Sequence, residues 1–204
     1  MEMLATCRCD ELSESSYALF SEKIGSVKEI VNNEDINSTS VGKIIEGPIV
    51  EALDQYDHHA KRYHHGIAER KRNALLEKMI SGCEEIYTKR LSAIAEDTLT
   101  QFRQSFTAHL PPEPTPADNF SKISEDERSA ALETLRMRVA SCLPPRIETH
   151  WGWINEKTVD SVIKNIDEVI ASKRHEHIAR VLAESARRVK VDLIRPVTKH
   201  LDTP

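Results

Sequence analysis

The sequence has few aromatic residues and few glycines, and each shortage argues against a class of protein. Aromatic residues make up only 5% of the 204 positions, whereas charged residues make up 30% and hydrophobic residues 39%. This balance is typical of an elongated helical bundle rather than of a globular enzyme with a thick core. The six glycines are scattered, which argues against a Rossmann or barrel fold with its glycine-rich turns.

Cysteines and long apolar runs are also scarce. The four cysteines, Cys7, Cys9, Cys83 and Cys142, show no C-x-x-C spacing, which fits a reduced, cytosolic setting. Cys83 and Cys142 lie on apolar stripes and are predicted core residues, whereas Cys7 and Cys9 are candidates for solvent exposure. The polar, acidic N-terminus does not resemble a signal peptide. No apolar run approaches the roughly 20 residues that span a bilayer, so we expect a soluble chain without a transmembrane segment.

Motifs of nucleotide binding and of nucleophilic catalysis are missing. The nearest approach to G-x-x-x-x-G-K-[ST] is Val41–Ile44, which has no hydroxyl after Lys43 and has Asn37 at the position of the first glycine. Without a glycine-rich backbone to cradle phosphates, this is not a P-loop. There is also no G-x-S-x-G motif. We therefore predict no catalytic and no cofactor-binding residue in this chain, and no GTPase domain.

Histidines form a cluster that invites a metal interpretation. The cluster consists of His58, His59, His64 and His65. It contains neither H-E-x-x-H nor the paired E-x-x-H motifs of a di-iron site. The spacing favours solvated or interhelical histidines over a metal site, and no metal ligand is predicted.

Apolar residues at helical spacing occupy most of the chain. Residues Ile45, Ile49, Leu53, Tyr56, Ala60, Tyr63 and Ile67 recur every three or four positions, and a second series continues from Leu76 to Phe106. No proline lies between Pro48 and Pro111. The pattern predicts one very long helix over about residues 47–110, in an all-α bundle of about four to five helices. Gly66 and Gly82 would be its weak points, and alanine at Gly66 would stiffen it.

The rest of the chain supplies the partner helices of a single bundle domain, 1–204. Four prolines predict an internal linker over about residues 111–123. Ser124 and Glu127 form a capping box at the start of the next helix. Trp151 and Trp153 are assigned to a turn, and the last helix begins near Asn155. Pro196 should kink or end that helix.

Charge is unevenly distributed along the chain. Residues 1–60 hold 12 acidic and 4 basic side chains, whereas residues 173–200 hold 8 Lys and Arg against 3 acidic residues. Acidic and basic helices could face each other, or the basic segment could form a face for phosphate groups or acidic lipid heads. The triplet Arg70–Arg72 is either a solvated face or a docking patch. The overall charge of −5 gives no reason to expect a nucleic-acid partner.

The stretch from Tyr56 to Leu75 resembles the middle helical region of the root-hair-defective, atlastin-like dynamin-family GTPases of the endoplasmic reticulum. The matching positions are Tyr56, Asp57, Ala60, Tyr63, Gly66, Ile67, Lys71, Arg72 and Leu75. Further similarities are the opening Cys9–Glu11, the helix end with Leu99, Phe102 and Phe106, Trp153 before a long helix, and Pro196 near the end of that helix. The resemblance therefore extends over most of the chain.

The resemblance implies a helical stalk in a protein that fuses membranes of the endoplasmic reticulum. The stalk would act as a lever on the cytoplasmic side, between a GTPase head and a membrane hairpin, both absent here. GTP and Mg²⁺ would belong to the head, and this chain would not be an enzyme. The implied partners are the head and the hairpin of the parent chain, with a second copy as a further candidate and with membrane contact only through absent segments.

Two alternatives remain open at this point. The first is a freestanding, spectrin-like helical scaffold or adaptor for protein–protein interaction. The second is a helical-bundle enzyme such as a di-iron protein, which the missing ligand spacings disfavour. A P-loop upstream and paired apolar segments downstream would favour the stalk over the scaffold.

Overall fold

The computed structural model describes residues 2–33, 41–111, 116–144 and 148–201, and these residues form five helices. In chain order the helices are α1 (Glu2–Asn33), α2 (Val41–Ala60), α3 (His65–His109), α4 (Ala117–Ser141) and α5 (Glu148–Leu201). The described residues contain no β-strand. The all-α fold and the expected number of helices are therefore confirmed.

The prediction of one very long helix over 47–110 is wrong, because α2 ends at Ala60 and α3 begins at His65. The Tyr63 amide donates to the Ala60 carbonyl at 3.0 Å, and the His64 carbonyl accepts from the Ile67 amide at 3.0 Å, which opens α3. Apolar spacing of three and four continues through this turn, so the periodicity does not mark it. Hydrogen bonds between side chains of α2 and groups of α3, described below, hold the two helices together.

The linker before α4 is shorter than predicted, because α4 already begins at Ala117. The Pro116 carbonyl accepts from the amides of Asn119 and Phe120, at 3.1 and 3.3 Å. The Ser124 hydroxyl donates to the Phe120 carbonyl at 2.7 Å, so Ser124 lies inside the helix and is not its cap. An S-x-x-E sequence on a helix surface cannot be distinguished from a capping box by spacing alone. Residues 112–115 lie outside the described part.

Helix α5 is longer at both ends than the sequence suggested. It begins at Glu148 and ends at Leu201, so Trp151 and Trp153 belong to a helix and not to a turn. The helix also does not end at Pro196, because the loss of one backbone donor can be tolerated within an otherwise continuous helix. The side chains of Trp153 and Pro196 lie outside the described part of the structure.

Backbone contacts divide the chain into two compact units. Unit 1 contains Met1–Ala95 and Arg136–Thr158, and unit 2 contains Glu96–Leu135 and Val159–Pro204. Helices α3, α4 and α5 contribute residues to both. The side chains that are at most 1% exposed in unit 1 include Phe20, Ile45, Ile49, Tyr56, Leu75, Met79, Tyr87, Leu91 and Trp151.

Aromatic packing and a close backbone approach organise the core of unit 1. The rings of Tyr87 on α3 and Trp151 on α5 stack with centroids 4.6 Å apart. The Tyr87 hydroxyl donates to the amide oxygen of buried Asn155 at 2.6 Å. Gly42 on α2 lies against the backbone after α4, where a Cβ atom would come within 2.3 Å of the Cys142 carbonyl oxygen. Helices α2, α3 and α5 and the end of α4 are therefore closely packed here.

In unit 2 the segments of α3, α4 and α5 meet through aromatic rings. Phe106 contacts Phe120 edge-on with centroids 6.1 Å apart, and Phe120 stacks on His177 at 5.0 Å. On the surface of the same unit, Arg128 Nε donates to an Asp167 carboxylate oxygen at 2.8 Å. No helix among the described residues combines the length and the apolarity that crossing a bilayer requires.

Candidate functional site

Three helices of unit 1 meet around Tyr56, within the stretch that carries the resemblance. Tyr56 on α2 is 1% exposed, and its hydroxyl donates to the Ala68 carbonyl of α3 at 3.0 Å. The buried Cys9 of α1 interacts with the same hydroxyl. Burial, and secondarily Cys9, raises the pKa of Tyr56, so this phenol acts as a neutral hydrogen-bond donor and not as a base.

Two ion pairs surround this contact. Arg72 Nε on α3 donates to both carboxylate oxygens of Asp57 on α2, each at 2.9 Å. Lys71 on α3 pairs with Asp10 on α1. Because these side chains are between 34% and 47% exposed, water screens the pairs and each contributes modestly to stability. We call Cys9, Asp10, Tyr56, Asp57, Ala68, Lys71 and Arg72 the Tyr56 junction.

The remaining residues of the resemblance in this stretch lie on α2, on α3 or in the turn between them. Ala60, Ile67 and Leu75 are buried, at 4%, 6% and 1% exposure, and Tyr63 is half-buried. Gly66 lies in the first turn of α3 without a positive φ. A Cβ atom there would meet only the His64 imidazole, at 3.7 Å. The turn between α2 and α3 therefore does not depend on glycine.

A cleft of about 490 Å³ opens beside the junction. Its lining includes Tyr56, Asp57, Lys61, Tyr63, Arg72 and Asn73. Asp57 and Arg72 both line the cleft, and they form an ion pair with each other. Their pairing suits a structural role for the junction better than the recognition of a charged ligand.

The histidine cluster does not converge on a point. His58 and His59 are exposed and meet edge to face, with centroids 5.1 Å apart. His65 Nδ1 lies 3.5 Å from a carboxylate oxygen of Glu69, one turn along α3. Throughout the described ranges no group of three or more His, Cys, Asp or Glu side chains could hold a metal ion.

The cysteines divide by burial. Cys83 and Cys142 are buried as predicted and Cys7 is exposed, but Cys9, a candidate for exposure, is fully buried. Burial raises the pKa of Cys83 to about 12 and raises that of Cys142 above its ordinary value. Both thiols therefore stay protonated near neutral pH, which suppresses nucleophilic chemistry.

Of the nine residues of the resemblance between Tyr56 and Leu75, the structure places Tyr56, Asp57, Lys71 and Arg72 in the contacts of the junction and Ala60 and Tyr63 in the wall of the cleft. It adds Cys9 and Asp10, which the sequence connected to this stretch only through the same resemblance. Trp153 and Pro196 lie on α5, away from the junction in sequence. The sequence did not predict the close approach at Gly42 or the Tyr87–Asn155 hydrogen bond, because each joins segments that are distant in sequence. For Gly42, the only available signal was a glycine on an otherwise apolar face of a helix.

Comparison with known proteins agrees with the resemblance. A family model described as the Sey1 three-helix bundle domain matches residues 39–204. Protein SEY1 of Laccaria bicolor is 26% identical over 200 residues, which cover 98% of this chain and 24% of that protein. Protein ROOT HAIR DEFECTIVE 3 homolog 1 of Arabidopsis thaliana is 24% identical over 202 residues, with 98% and 24% covered.

A third relative matches more closely over a shorter stretch. Protein SEY1 homolog of Dictyostelium discoideum is 31% identical over 98 residues, 48% of this chain and 11% of that protein. No solved structure matches the chain. The chain spans about a quarter of the length of the Laccaria and Arabidopsis proteins. Since the family model covers all but the first 38 residues, the chain belongs to the Sey1 three-helix bundle domain family.

Proposed function

We propose that this chain is the helical stalk of a dynamin-like GTPase that fuses membranes of the endoplasmic reticulum. The observation that carries the proposal is the match of the Sey1 three-helix bundle domain over residues 39–204. The relatives are about four times longer than the matched region, which leaves room for the GTPase head and the membrane anchor that such a mechanism requires.

The stalk acts as a lever and not as a catalyst. A lever transmits force only if its helices do not slide past one another. The Tyr56 junction joins α1, α2 and α3 through the Tyr56–Ala68 hydrogen bond and the pairs Asp57–Arg72 and Asp10–Lys71. Directional contacts of this kind fix the register of neighbouring helices better than apolar packing alone. In this proposal GTP and Mg²⁺ bind to the head, and this chain hydrolyses nothing.

The partners and the location follow from the same proposal. The stalk lies on the cytoplasmic side of the endoplasmic reticulum membrane and contacts its own head and membrane hairpin. A second copy is a further candidate partner. The freestanding scaffold remains the competing function, and the reading frame that surrounds these residues distinguishes the two. An upstream G-x-x-x-x-G-K-[ST] motif with downstream apolar segments supports the stalk, whereas a frame that lacks both overturns it.

A fusion assay on the full-length protein tests the lever. The variants Gly42→Ala and Gly25→Ala would be reconstituted into vesicles, because the first clashes with backbone and the second, on α1, meets nothing within 4 Å. We expect Gly42→Ala to reduce GTP-dependent lipid mixing while its head still hydrolyses GTP, and Gly25→Ala to behave like the unmodified protein. Normal fusion by a Gly42→Ala protein whose stalk is measurably destabilised would contradict the lever.

A further inference from the structure

Helix α5 exposes an apolar stripe beyond the region in which it is packed. Among its described side chains, His177 is the last one that is buried, and none from 178 to 190 is. In that stretch Ile178, Leu182 and Val189 are 49%, 64% and 58% exposed. Their spacings of four and seven residues place them on one side of the helix.

This stripe does not continue the face that packs in unit 2. The buried residues of α5 in that unit are Val162, Ile166 and His177. Each residue of an α-helix is rotated by about 100° from the one before it. Ile178 is therefore turned by about 100° from His177, and the exposed stripe is a second face of α5.

Basic side chains accompany the stripe. Residues 173–190 hold six Lys and Arg against Glu176 and Glu184, a net charge of +4. The described ion pairs of this segment lie within α5 itself, with Lys173 Nζ 2.8 Å from a Glu176 oxygen and Arg188 Nε 3.2 Å from a Glu184 oxygen. Among the described residues, these ion pairs involve no acidic residue of another helix. Arg188 and Lys190 lie on either side of Val189.

We propose that the α5 face formed by Ile178, Leu182 and Val189 docks on the surface of a bilayer that contains anionic lipids. An apolar stripe on one side of a helix whose remaining surface is rich in Lys and Arg is the arrangement of helices that lie in a membrane interface. Long basic side chains can keep their charged ends at the headgroups while the aliphatic groups reach the acyl boundary. Each basic residue near an anionic leaflet adds to the attraction.

The observations favour a bilayer over a second copy of the chain. Two copies would bring two net-positive segments together. A heptad seam through Ile178, Leu182 and Val189 would also include His175 and Ser185, which are poor residues for knobs-into-holes packing. The overall charge of −5 does not prevent binding, because screening limits electrostatic forces to about 8 Å at physiological ionic strength. The inference does not depend on the proposed lever function.

Vesicle flotation with the complete chain tests the proposal. Vesicles of phosphatidylcholine alone are compared with vesicles that also contain phosphatidylserine, at low and high salt. We expect the chain to float with the anionic vesicles at low salt, to remain unbound with the neutral ones, and to dissociate as salt is raised. Leu182→Ser should weaken binding by roughly tenfold, because it removes an aliphatic group from the interface.

Matched controls separate this face from general surface properties. Met137 on α4 is 62% exposed, so Met137→Ser removes a comparable apolar group elsewhere and should leave flotation unchanged. Arg188→Gln should weaken binding, whereas Lys122→Gln, at an exposed basic position on α4, should not. Each variant is first checked for unaltered thermal unfolding.

Three results would overturn the proposal. One is the absence of any flotation with anionic vesicles. The second is flotation that Leu182→Ser and Val189→Ser leave unchanged, since the apolar face would then not be used. The third is a concentration-dependent dimer that Leu182→Ser abolishes, without vesicle binding, which would assign the face to a second copy.

Discussion

Gly42 occupies a point on α2 where two backbones leave no space for a side chain. A Cβ atom would lie 2.3 Å from the Cys142 carbonyl oxygen and 2.6 Å from the Leu143 carbonyl carbon. Because both neighbours are backbone, rotation of a side chain cannot relieve the clash, and helix α2 or the segment after α4 must move. The packing of α2 against the segment after α4 therefore requires glycine at position 42.

We predict that Gly42→Ala lowers the free energy of unfolding by about 2 kcal/mol or more, the usual cost of overpacking a core. Urea unfolding measures it. Gly25→Ala, at an exposed position inside α1, is the control: nothing lies within 4 Å of its Cβ position, so alanine should stabilise the protein by up to about 1 kcal/mol through helix propensity. Equal effects of the two substitutions would show that the close approach at Gly42 has no energetic weight.

Tyr56 combines complete burial with a hydrogen bond between helices. Tyr56→Phe keeps the ring and removes only the hydroxyl that donates to the Ala68 carbonyl. We expect a loss of about 1 kcal/mol, the typical net value of such a bond. The half-buried Tyr63 is the control, and Tyr63→Phe should change stability little. An unchanged urea midpoint for Tyr56→Phe would show that the Tyr56 hydroxyl does not stabilise the junction.

At the scale of the helices, the turn at residues 61–64 decides how the central part of the chain is arranged. It separates α2 from α3, and the Tyr56–Ala68 and Asp57–Arg72 contacts connect the helices on its two sides. These contacts stabilise the turn from outside. Gly66 contributes no special backbone conformation, because its φ is not positive.

Gly66→Ala should consequently leave the turn in place. The sequence-based expectation was that alanine would stiffen a continuous helix, but no continuous helix exists at this point. We expect a change in unfolding free energy within about 0.5 kcal/mol and unchanged hydrogen exchange at residues 61–64. Slower exchange there, as in an extended helix, would show instead that glycine keeps α2 and α3 apart.

For the whole molecule, several titratable groups are buried in the neutral form. Burial raises the pKa of Cys83 to about 12, and raises the pKa values of Tyr56 and Tyr87 above the ordinary value for tyrosine. In the unfolded chain these groups lose their protons at lower pH. Their contribution to stability is therefore complete below the unfolded pKa values and is lost as the pH rises towards the folded ones.

We predict that the free energy of unfolding is nearly constant up to about pH 8 and then falls steadily, since unfolded cysteine titrates near 8.5. Urea unfolding at a series of alkaline pH values measures this. Cys83→Ala should reduce the slope, whereas Cys7→Ala, at an exposed thiol, should not alter it. The same slope in Cys83→Ala would show that Cys142 and the tyrosines account for the alkaline loss.

The amino-acid sequence by itself determined the fold class, the apolar faces of the helices and the family. Helical periodicity is a local property, so Ile45, Ile49, Leu75 and Leu91 could be assigned to a core before any contact was known. The resemblance between Tyr56 and Leu75 was equally readable, because it consists of residue types at fixed spacing. The burial of Cys83 and Cys142 followed from their positions on apolar stripes.

Only the tertiary structure decided where the helices end and which of them meet. The turn at 61–64 and the start of α4 at Ala117 carry weak local signals, and contacts between distant segments override such signals. The same holds for Cys9 beside Tyr56 and for Gly42 against Cys142, where the partners are more than 40 residues apart. The stripe of α5 has the spacing of a core face, and only the exposure of Ile178, Leu182 and Val189 in the described part of the structure distinguishes it from one.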